Sequence, residues 1–508
     1  MKSLMTIQDI SLWIKAAAPS GQLTSDSRRV QRGDVFFAYA GATHFIQAAI
    51  AQGAAAIVYD DAGFAWDASW DVPQLAVAGL KTQAGPIAHA VYGMPDSAMF
   101  SAGVTGTNGK TSCALWLAQA LAHLGETSSV IGTLGVGLCK PRGEIEFDVT
   151  GYTTPDAVLL ARKLAAMRDA GAQAVAIEVS SIGLDQQRAA GMHFDVAMFT
   201  NLTRDHLDYH GDMAAYEAAK LKLFDWPGLK TAVINLDDAM GLRLAAHVAG
   251  KLTGEIPVVA YTLQDAAAVP DLPGVLMLRA SQFRSRNAGT DFHLECPLGV
   301  ALVKTQLVGH FNISNALAVL GALLAHGTGL RAAIDGIESL LPAPGRMQQV
   351  GGQEAPMVVI DYAHTPDALE KTLAALRQVA QERGGELWCV FGCGGDRDPG
   401  KRPQMGAIAQ LADHVLVTSD NPRSEDPHAI ISQIVAGMRS EGPQPQAIED
   451  RAAAILSAIK HAAKPDVILL AGKGHEPYQE IKGKKLPFSD ADHAQLALSA
   501  RLTMMRTN

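Results

Sequence analysis

The segment Val104-Thr105-Gly106-Thr107-Asn108-Gly109-Lys110-Thr111 has the residue types and the order to hold a phosphate. Its glycines let backbone N–H groups approach oxygen atoms, Lys110 adds a point charge, and Thr111 adds a hydroxyl suited to Mg2+. A strict phosphate-loop spacing asks for glycine at position 104, where valine stands. The plain alternative is a glycine-rich turn. A Gly-Lys-Thr set between an apolar strand-like run and a helical run is nevertheless the context a phosphate loop requires. Glu178 closes another apolar run, 174–179, where a carboxylate can hold a nucleotide's Mg2+, although a lone glutamate there is as often a cap. The stretch Asn201-Leu202-Thr203-Arg204-Asp205-His206-Leu207-Asp208-Tyr209-His210-Gly211 crowds histidines and aspartates together. It carries no thiolate and matches no closed zinc spacing, so a polar loop with helix caps is the plain reading. Lys220, in Tyr-Glu-Ala-Ala-Lys, reads from its spacing as an exposed helical lysine.

Polar clusters recur after apolar runs further along the chain. Asp361-Tyr362-Ala363-His364 follows 357–360, and Gly394-Gly395-Asp396-Arg397-Asp398 follows 387–391. Asp420-Asn421-Pro422-Arg423 follows 414–418, and Gly472-Lys473-Gly474-His475-Glu476 follows 467–470. One such cluster is unremarkable as a loop, but their repetition describes a ligand-binding rim at the carboxyl ends of strands.

The elements that position these residues alternate between strand and helix. Near-continuous apolar strands predict buried parallel sheets in an α/β protein. The 508 residues suggest about three domains. Residues 1–98 hold strands at 35–39 and 55–59 and end near Met94-Pro95-Asp96, a turn signal. Residues 99–341 open with a strand at 99–104, the phosphate loop, and a helix whose Leu117, Leu121 and Leu124 form one stripe before Gly125. Strands at 174–179, 195–199 and 231–235 follow. Residues 342–508 open on the hinge signal Leu341-Pro342-Ala343-Pro344-Gly345, and Gly442-Pro443-Gln444-Pro445-Gln446 reads as a surface loop.

Composition excludes several classes. Hydrophobic residues make up 48%, charged residues 18%, and there are 48 glycines without a collagen-like period, so sizeable cores are available. A net charge of −9, with no local basic patch, argues against a nucleic-acid partner. The opening stretch, 1–20, mixes Asp9, Lys15 and polar residues and lacks a signal-peptide pattern. The longest apolar run, around 316–325, is shorter than the roughly 20 residues a bilayer needs. Cys113, Cys139, Cys296, Cys389 and Cys393 include no CxxC pair and read as reduced, structural residues. A cytoplasmic monomer without membrane insertion is expected.

Together these segments resemble the Mur ligase family, ATP-dependent amide-forming enzymes of peptidoglycan precursor synthesis, and within it the diaminopimelate-adding MurE type. The resemblance runs nearly end to end. It rests on TSDSRRV near residue 24, TGTNGKT, YTTPD at 152–156, EVSS at Glu178, NLTRDHLDYHGDM, YEAAK and GHFNISN at Gly309, then PGRM at Pro344, DYAHTPD, FGCGGDRD, DNPR and GKGHE. It implies three α/β domains: a UDP-binding first domain, a central phosphate-loop domain with a parallel sheet, and a Rossmann-like third domain for the amino acid.

Residue roles follow from the resemblance alone. It assigns Ser25, Ser27, Ala42, Thr43 and His44 to the uridine nucleotide, and Tyr152, Thr153, Thr154, Ser180, Gln186 and Arg188 to the muramoyl dipeptide. Thr105 to Thr111, Asn312, Arg346 and Asp361 are implied to hold ATP. The resemblance makes Lys220 a carbamylated lysine serving Mg2+ with Thr111, Glu178 and His210. Arg397, Asp420, Asn421, Pro422, Arg423, Gly472 and Glu476 are implied to bind diaminopimelate. Here chemistry agrees: Arg423 can clamp a second carboxylate that lysine lacks and would repel a lysine side chain, while Glu476 can pair with the distal ammonium.

Two positions depart from the family pattern, Ile182 where histidine is usual and Gln348 where glutamate is common. The implied reaction activates the D-glutamate γ-carboxylate as an acyl phosphate, which the diaminopimelate amine then attacks, with Lys110 and Arg346 neutralising charge on the phosphoryl group. A lysine-adding ligase or a folylpolyglutamate synthetase is a same-class alternative, which DNPR and the TTPD and DYAHTPD motifs disfavour. A regulatory ATP-binding switch would not need the polar rim of the third domain.

Overall fold

The computed structural model describes residues 5–507 apart from 142, 144, 266–271, 287–288 and 353. The first four residues of the amino-terminal stretch considered above therefore lie outside the described residues.

In the first domain, the described strands form a parallel sheet in the order Leu23–Thr24, Val35–Ala38, Ala56–Tyr59 and Gln74–Ala76. Its two central strands are buried on both faces, which explains their unbroken apolar runs. Val35, Phe37, Ala56 and Val58 pack with the helices Ile7–Ala17 and Leu80–Val91. Phe36, Ala38 and Ile57 turn to the other face and meet Ile46 and Ala49 of the helix Ile46–Ala51.

The central sheet contains, among the described residues, a parallel run ordered Val275–Arg286, Val258–Thr262, Thr231–Asn235, Val196–Phe199, Phe100–Thr105, Ala174–Glu178 and Ser128–Gly132. The expected parallel sheet carries antiparallel strands at both ends. Gly289–Cys296 and Gly299–Thr305 extend one edge antiparallel, and Gly135–Cys139 and Phe147–Asp148 extend the other. Only Thr133 and Leu134 separate the strands at Ser128–Gly132 and Gly135–Cys139. A connection that short permits a hairpin and cannot make a parallel crossover. Pro297 and Leu298 impose the same constraint at the opposite edge.

The helix Lys110–His123 carries the leucine stripe but is buried around nearly its whole circumference. It lies between the sheet and the helices His310–Ala325 and Leu330–Glu338, so one stripe understates what it packs against. Trp116 on this helix is fully buried, and its Nε1–H donates to the Leu341 carbonyl at 2.8 Å.

The third domain's sheet runs Gln348–Gly351, Met357–Asp361, Val467–Ala471, Leu387–Phe391, His414–Val417 and Gln446–Ala447, parallel except for its first pair. An antiparallel hairpin, Tyr478–Ile481 with Lys484–Pro487, follows the last central strand and was not legible in the sequence. Arg451 and Asp490 form a fully buried ion pair at 2.6 Å, and Arg451 also donates to the Ala471 carbonyl at 3.0 Å, immediately before Gly472. The cysteines at 113, 139, 389 and 393 are buried and, like Cys296, free.

At one contact the first and central domains approach backbone to backbone, beside the packed side chains of Val158 and Ala161. A Cβ on Gly85 would come within 1.9 Å of the Ala190 carbonyl oxygen, and one on Gly191 within 2.7 Å of the Pro86 nitrogen. Beside this contact the buried His89 Nδ1 and Asp96 Oδ1 lie 2.9 Å apart. Burial opposes the Asp96 charge, yet the His89 ring and the His193 backbone N–H hold its pKa below the usual carboxylate value. Gly191 also has a left-handed φ of +87, so Gly191→Ala combines backbone strain with a clash and is expected to destabilise this pair of domains by about 2 kcal/mol or more. Gly250→Ala, at φ +71 in open space, supplies only the strain. Denaturant unfolding should show the larger loss at Gly191; equal losses would contradict the close-packed interface.

Candidate active site

The phosphate loop leaves the strand Phe100–Thr105 and enters the helix Lys110–His123, so the first turn's backbone N–H groups face the cavity above it. Its glycines answer a demand that the sequence did not reveal. A Cβ on Gly106 would lie 1.9 Å from Thr200 Oγ1, and one on Gly109 would lie 2.5 Å from Asn315 Oδ1. Side chains of neighbouring elements support the loop on its protein side. Asn201 Oδ1 accepts from the Asn108 N–H at 2.9 Å, and Thr200 donates to the Asn108 carbonyl at 2.6 Å. Thr107 Oγ1 lies 3.1 Å from the Tyr216 hydroxyl and donates to the Thr203 carbonyl at 3.1 Å. Thr105 is buried at the strand end.

Cations crowd around this loop. Lys110 Nζ folds back onto the carbonyls of Gly106 and Thr107, each at 2.8 Å. Lys220 is not the exposed helical lysine its spacing suggests: its helix, Met213–Leu221, turns it inward, leaving 1% of the residue exposed. Its Nζ donates to the Gly106 carbonyl at 2.9 Å and stands 4.2 Å from the Tyr216 ring centre. Burial, reinforced by the Lys110 charge, pushes the Lys220 pKa well below the usual lysine value, with Asp205 opposing. Lys110 shifts down too, chiefly from burial. Burial also works against the Asp205 carboxylate, but His364, His206 and Lys401 outweigh it and lower its pKa.

The third domain contributes Arg346, whose Nη2 donates to Thr111 Oγ1 at 3.2 Å while its guanidinium lies 4.3 Å from the Tyr362 ring centre. Asp361 Oδ2 accepts from the Met347 N–H at 2.8 Å, fixing the backbone beside Arg346. Burial raises the Asp361 pKa, with Arg346 opposing. Gln348 Oε1 accepts from the Gly345 N–H at 2.9 Å, so the amide that replaces the usual glutamate still closes this turn. Asn108 Nδ2 reaches Asp367 Oδ2 at 3.4 Å across the same boundary.

These groups line a cavity of about 560 Å3 that also takes in Thr153, Ser180, Asn312 and Glu178. Glu178 is 2% exposed, and its oxygens accept from the Thr133 N–H at 2.8 Å and the Thr133 hydroxyl at 3.1 Å. Asn312 Nδ2 donates to the Val308 carbonyl at 2.9 Å. His210 stands apart from the cavity lining, with Nε2 3.0 Å from Ser181 Oγ. Ile182 occupies the next position on the short helix Ser181–Asp185.

Tyr152, Thr154, Gln186 and Arg188 form a connected group beside the cavity. Arg188 donates to the Thr154 carbonyl at 3.0 Å and to Gln186 Oε1, and lies 5.4 Å from the Tyr152 ring centre. Thr154 also meets Ser180 Oγ at 3.1 Å. From the first domain, Ser25 donates to Asp156 Oδ1 at 2.9 Å, the carboxylate that caps the helix Ala157–Asp169. Ser27 begins one short turn, Ala42 precedes another formed by Thr43 and His44, and none of these lines the cavity.

A second polar cluster lies at the strand ends of the third domain. Asn421 Nδ2 donates to Glu476 Oε2 at 2.8 Å, and Gly395 N–H donates to the Asn421 carbonyl at 2.9 Å. Gly472, at φ +108, leaves room for Asp420, whose Oδ2 a Cβ would approach to 2.5 Å. Burial raises the Asp420 pKa, with Lys473 opposing. Arg423 takes a left-handed φ of +51, held by backbone bonds to Glu480 and Lys482 of the unforeseen hairpin. Its Nη1 donates to the Gly395 carbonyl at 2.7 Å, and Nε lies 3.5 Å from Glu480 Oε2. A Cβ on Gly395 would meet the Pro422 carbonyl at 2.0 Å, and exposed Arg397 lies beside the same loop. Tyr362 links the two clusters, its ring centre 5.6 Å from that of His475.

Sequence reasoning did not single out Thr200, Asn201, Tyr216, Asn315, Lys473 or Glu480. Asn201, Tyr216, Asn315 and Lys473 stood within motifs already noticed, but Thr200 and Glu480 do their work through tertiary contact.

A family profile described as Mur ligase middle domain matches residues 104–323, and one described as Mur ligase, glutamate ligase domain matches 345–474. A protein of Janthinobacterium sp. (strain Marseille) named UDP-N-acetylmuramoyl-L-alanyl-D-glutamate–2,6-diaminopimelate ligase is 60% identical, covering 96% of each chain. A protein of that name from Ralstonia nicotianae is 52% identical over 96% of this chain and 95% of its own. A solved structure titled as the same ligase aligns with a TM-score of 0.64 and 35% identity, covering 95% of both chains.

Lys110 Nζ lies over the loop carbonyls, where it could meet a phosphate. Lys110→Ala is expected to lower affinity for a non-hydrolysable ATP analogue about 100-fold in titration calorimetry, with an unchanged circular dichroism spectrum. Undiminished affinity would remove the loop from the nucleotide site.

Proposed function

The chain belongs to the Mur ligase family, and we propose that it uses ATP to join 2,6-diaminopimelate to UDP-N-acetylmuramoyl-L-alanyl-D-glutamate, the reaction for which its relatives are named. The observation that carries this reading is the meeting of Lys110 and Arg346, from two domains, at the phosphate loop beside Thr153 and Ser180.

The D-glutamate γ-carboxylate attacks the γ-phosphorus of ATP, releasing ADP and leaving an acyl phosphate. The diaminopimelate amine then attacks that carbonyl, phosphate leaves, and the amide forms. Lys110 and Arg346 offset the charge of two anionic reactants as they approach, and the loop N–H groups orient the phosphates. Thr153, Thr154, Ser180, Gln186 and Arg188 would hold the dipeptide end, with Ser25, Ser27, Ala42, Thr43 and His44 toward the uridine nucleotide. Asn312 and Asp361 would frame the nucleotide.

Thr111 and Glu178 suit Mg2+, since both line the cavity. No group of three histidine, cysteine, aspartate or glutamate side chains among the described residues could hold a metal ion. That partial set fits Mg2+, which completes its shell with phosphate oxygens and water. When bound it would neutralise charge on the transferred phosphoryl group. His210 approaches this region through Ser181.

Lys220 fits carbamylation. Its depressed pKa favours the neutral amine, which adds to CO2 and releases a proton, so a buried cation becomes an anion facing Lys110. Falling pH protonates the amine and should reverse the modification. Activity in CO2-depleted buffer is therefore expected to fall as the pH is lowered and to return with bicarbonate, with a carbamate signal in 13C NMR after 13CO2 labelling. Lys220→Met should lack that signal; its persistence would assign the carbamate elsewhere.

Soluble substrates fit a cytoplasmic location, and no helix among the described residues is long and apolar enough to cross a membrane. A monomer is proposed, with the cavity lined by one chain. Arg423, Arg397, Asp420, Asn421, Pro422, Gly472 and Glu476 would receive the amino acid. With diaminopimelate and lysine offered together, mass spectrometry should find almost only the diaminopimelate product, and Arg423→Ala should lower kcat/KM for diaminopimelate about 100-fold. A predominant lysine product from the unaltered enzyme would overturn this reading.

A further inference from the structure

We propose that Lys473 is a specificity-determining residue for the incoming amino acid, acting by orienting Asn421 and Glu476 and by balancing the charge of their site. The inference rests on the assignment of that cluster to diaminopimelate. Lys473 is fully buried, and its Nζ lies 3.1 Å from Glu476 Oε2, 3.2 Å from Asn421 Oδ1 and 3.9 Å from Asp420 Oδ1. A buried ammonium is costly unless paired, and here its partners are the residues that would meet the substrate.

The contacts fix the Asn421 amide. Its Oδ1 accepts from both Lys473 and the Glu480 N–H, the latter at 2.9 Å, so its NH2 group must face Glu476. Glu476 Oε2 thus receives two donors, while its Oε1 has no hydrogen-bond partner among the described residues. That oxygen remains for a ligand ammonium. Lys473 offsets the carboxylates of Glu476 and Asp420 that it touches, while Arg423 lies against Glu480. A balanced site suits the distal end of diaminopimelate, which carries one ammonium and one carboxylate. Lysine presents an ammonium alone, and the Lys473 charge works against it.

Lys473→Met removes the charge while keeping much of the volume. It is expected to raise KM for diaminopimelate on the order of 10-fold or more, leaving KM for ATP and the nucleotide substrate unchanged. In competition, the lysine-to-diaminopimelate product ratio should rise about 10-fold. Lys473→Arg, which keeps the charge, should hold the ratio near that of the unaltered enzyme. If the methionine variant does not fold, Lys473→Gln carries the same comparison. An unchanged ratio in a folded neutral variant, or an equal swing toward lysine in Lys473→Arg, overturns the inference. A lysine preference in the unaltered enzyme instead overturns the site assignment itself.

Discussion

The cleft depends on positive charge held where water is scarce. Lys110 and Lys220 both bond to the Gly106 carbonyl, and Arg346 reaches Thr111 one residue beyond Lys110. Burial depresses both lysine pKa values, with Arg346 adding to it at Lys110 and Lys110 adding to it at Lys220, so an anion near the loop would favour their charged forms. Much of the surrounding architecture serves that arrangement. Parallel strands deliver the loops to one edge, glycines let Thr200 and Asn315 brace the loop from below, and the third domain adds the last cation.

The cluster at the strand ends of the third domain, proposed above for the amino acid, has the opposite character. Its charges are densely paired with one another: Lys473 with Glu476, Arg423 with Glu480, and Arg451 with Asp490 behind them. Arg451 also secures the carbonyl before Gly472, so an ion pair in the domain core helps hold a loop at its rim. One end of the cleft therefore awaits negative charge, whereas the other offers a nearly neutral mould.

The sequence exposed what is local and hid what is tertiary. Strands such as Thr231–Asn235 and Leu387–Phe391 were readable because buried parallel strands are apolar without interruption. The phosphate loop was readable because its chemistry is contiguous. Lys220 was misread from spacing because nothing in Tyr-Glu-Ala-Ala-Lys shows that Tyr216 and Gly106 will enclose it; only the family resemblance marked it. The hairpin around Glu480 escaped for a similar reason, since its purpose, bracing Arg423 in a left-handed conformation, involves residues far apart in the chain.

Trp116 gives the linker an uneven mechanics. Its indole, anchored in the most enclosed helix of the central domain, grips the carbonyl of Leu341. Leu341 and the buried Ala343 therefore belong to the central domain's side, and a swing of the third domain would take its fulcrum at Pro344 and Gly345. Arg346 is the next residue. A side chain one step from a fulcrum travels little while the far rim sweeps widely. The guanidinium would therefore stay near the phosphate loop while the cluster around Glu476 moved toward or away from it.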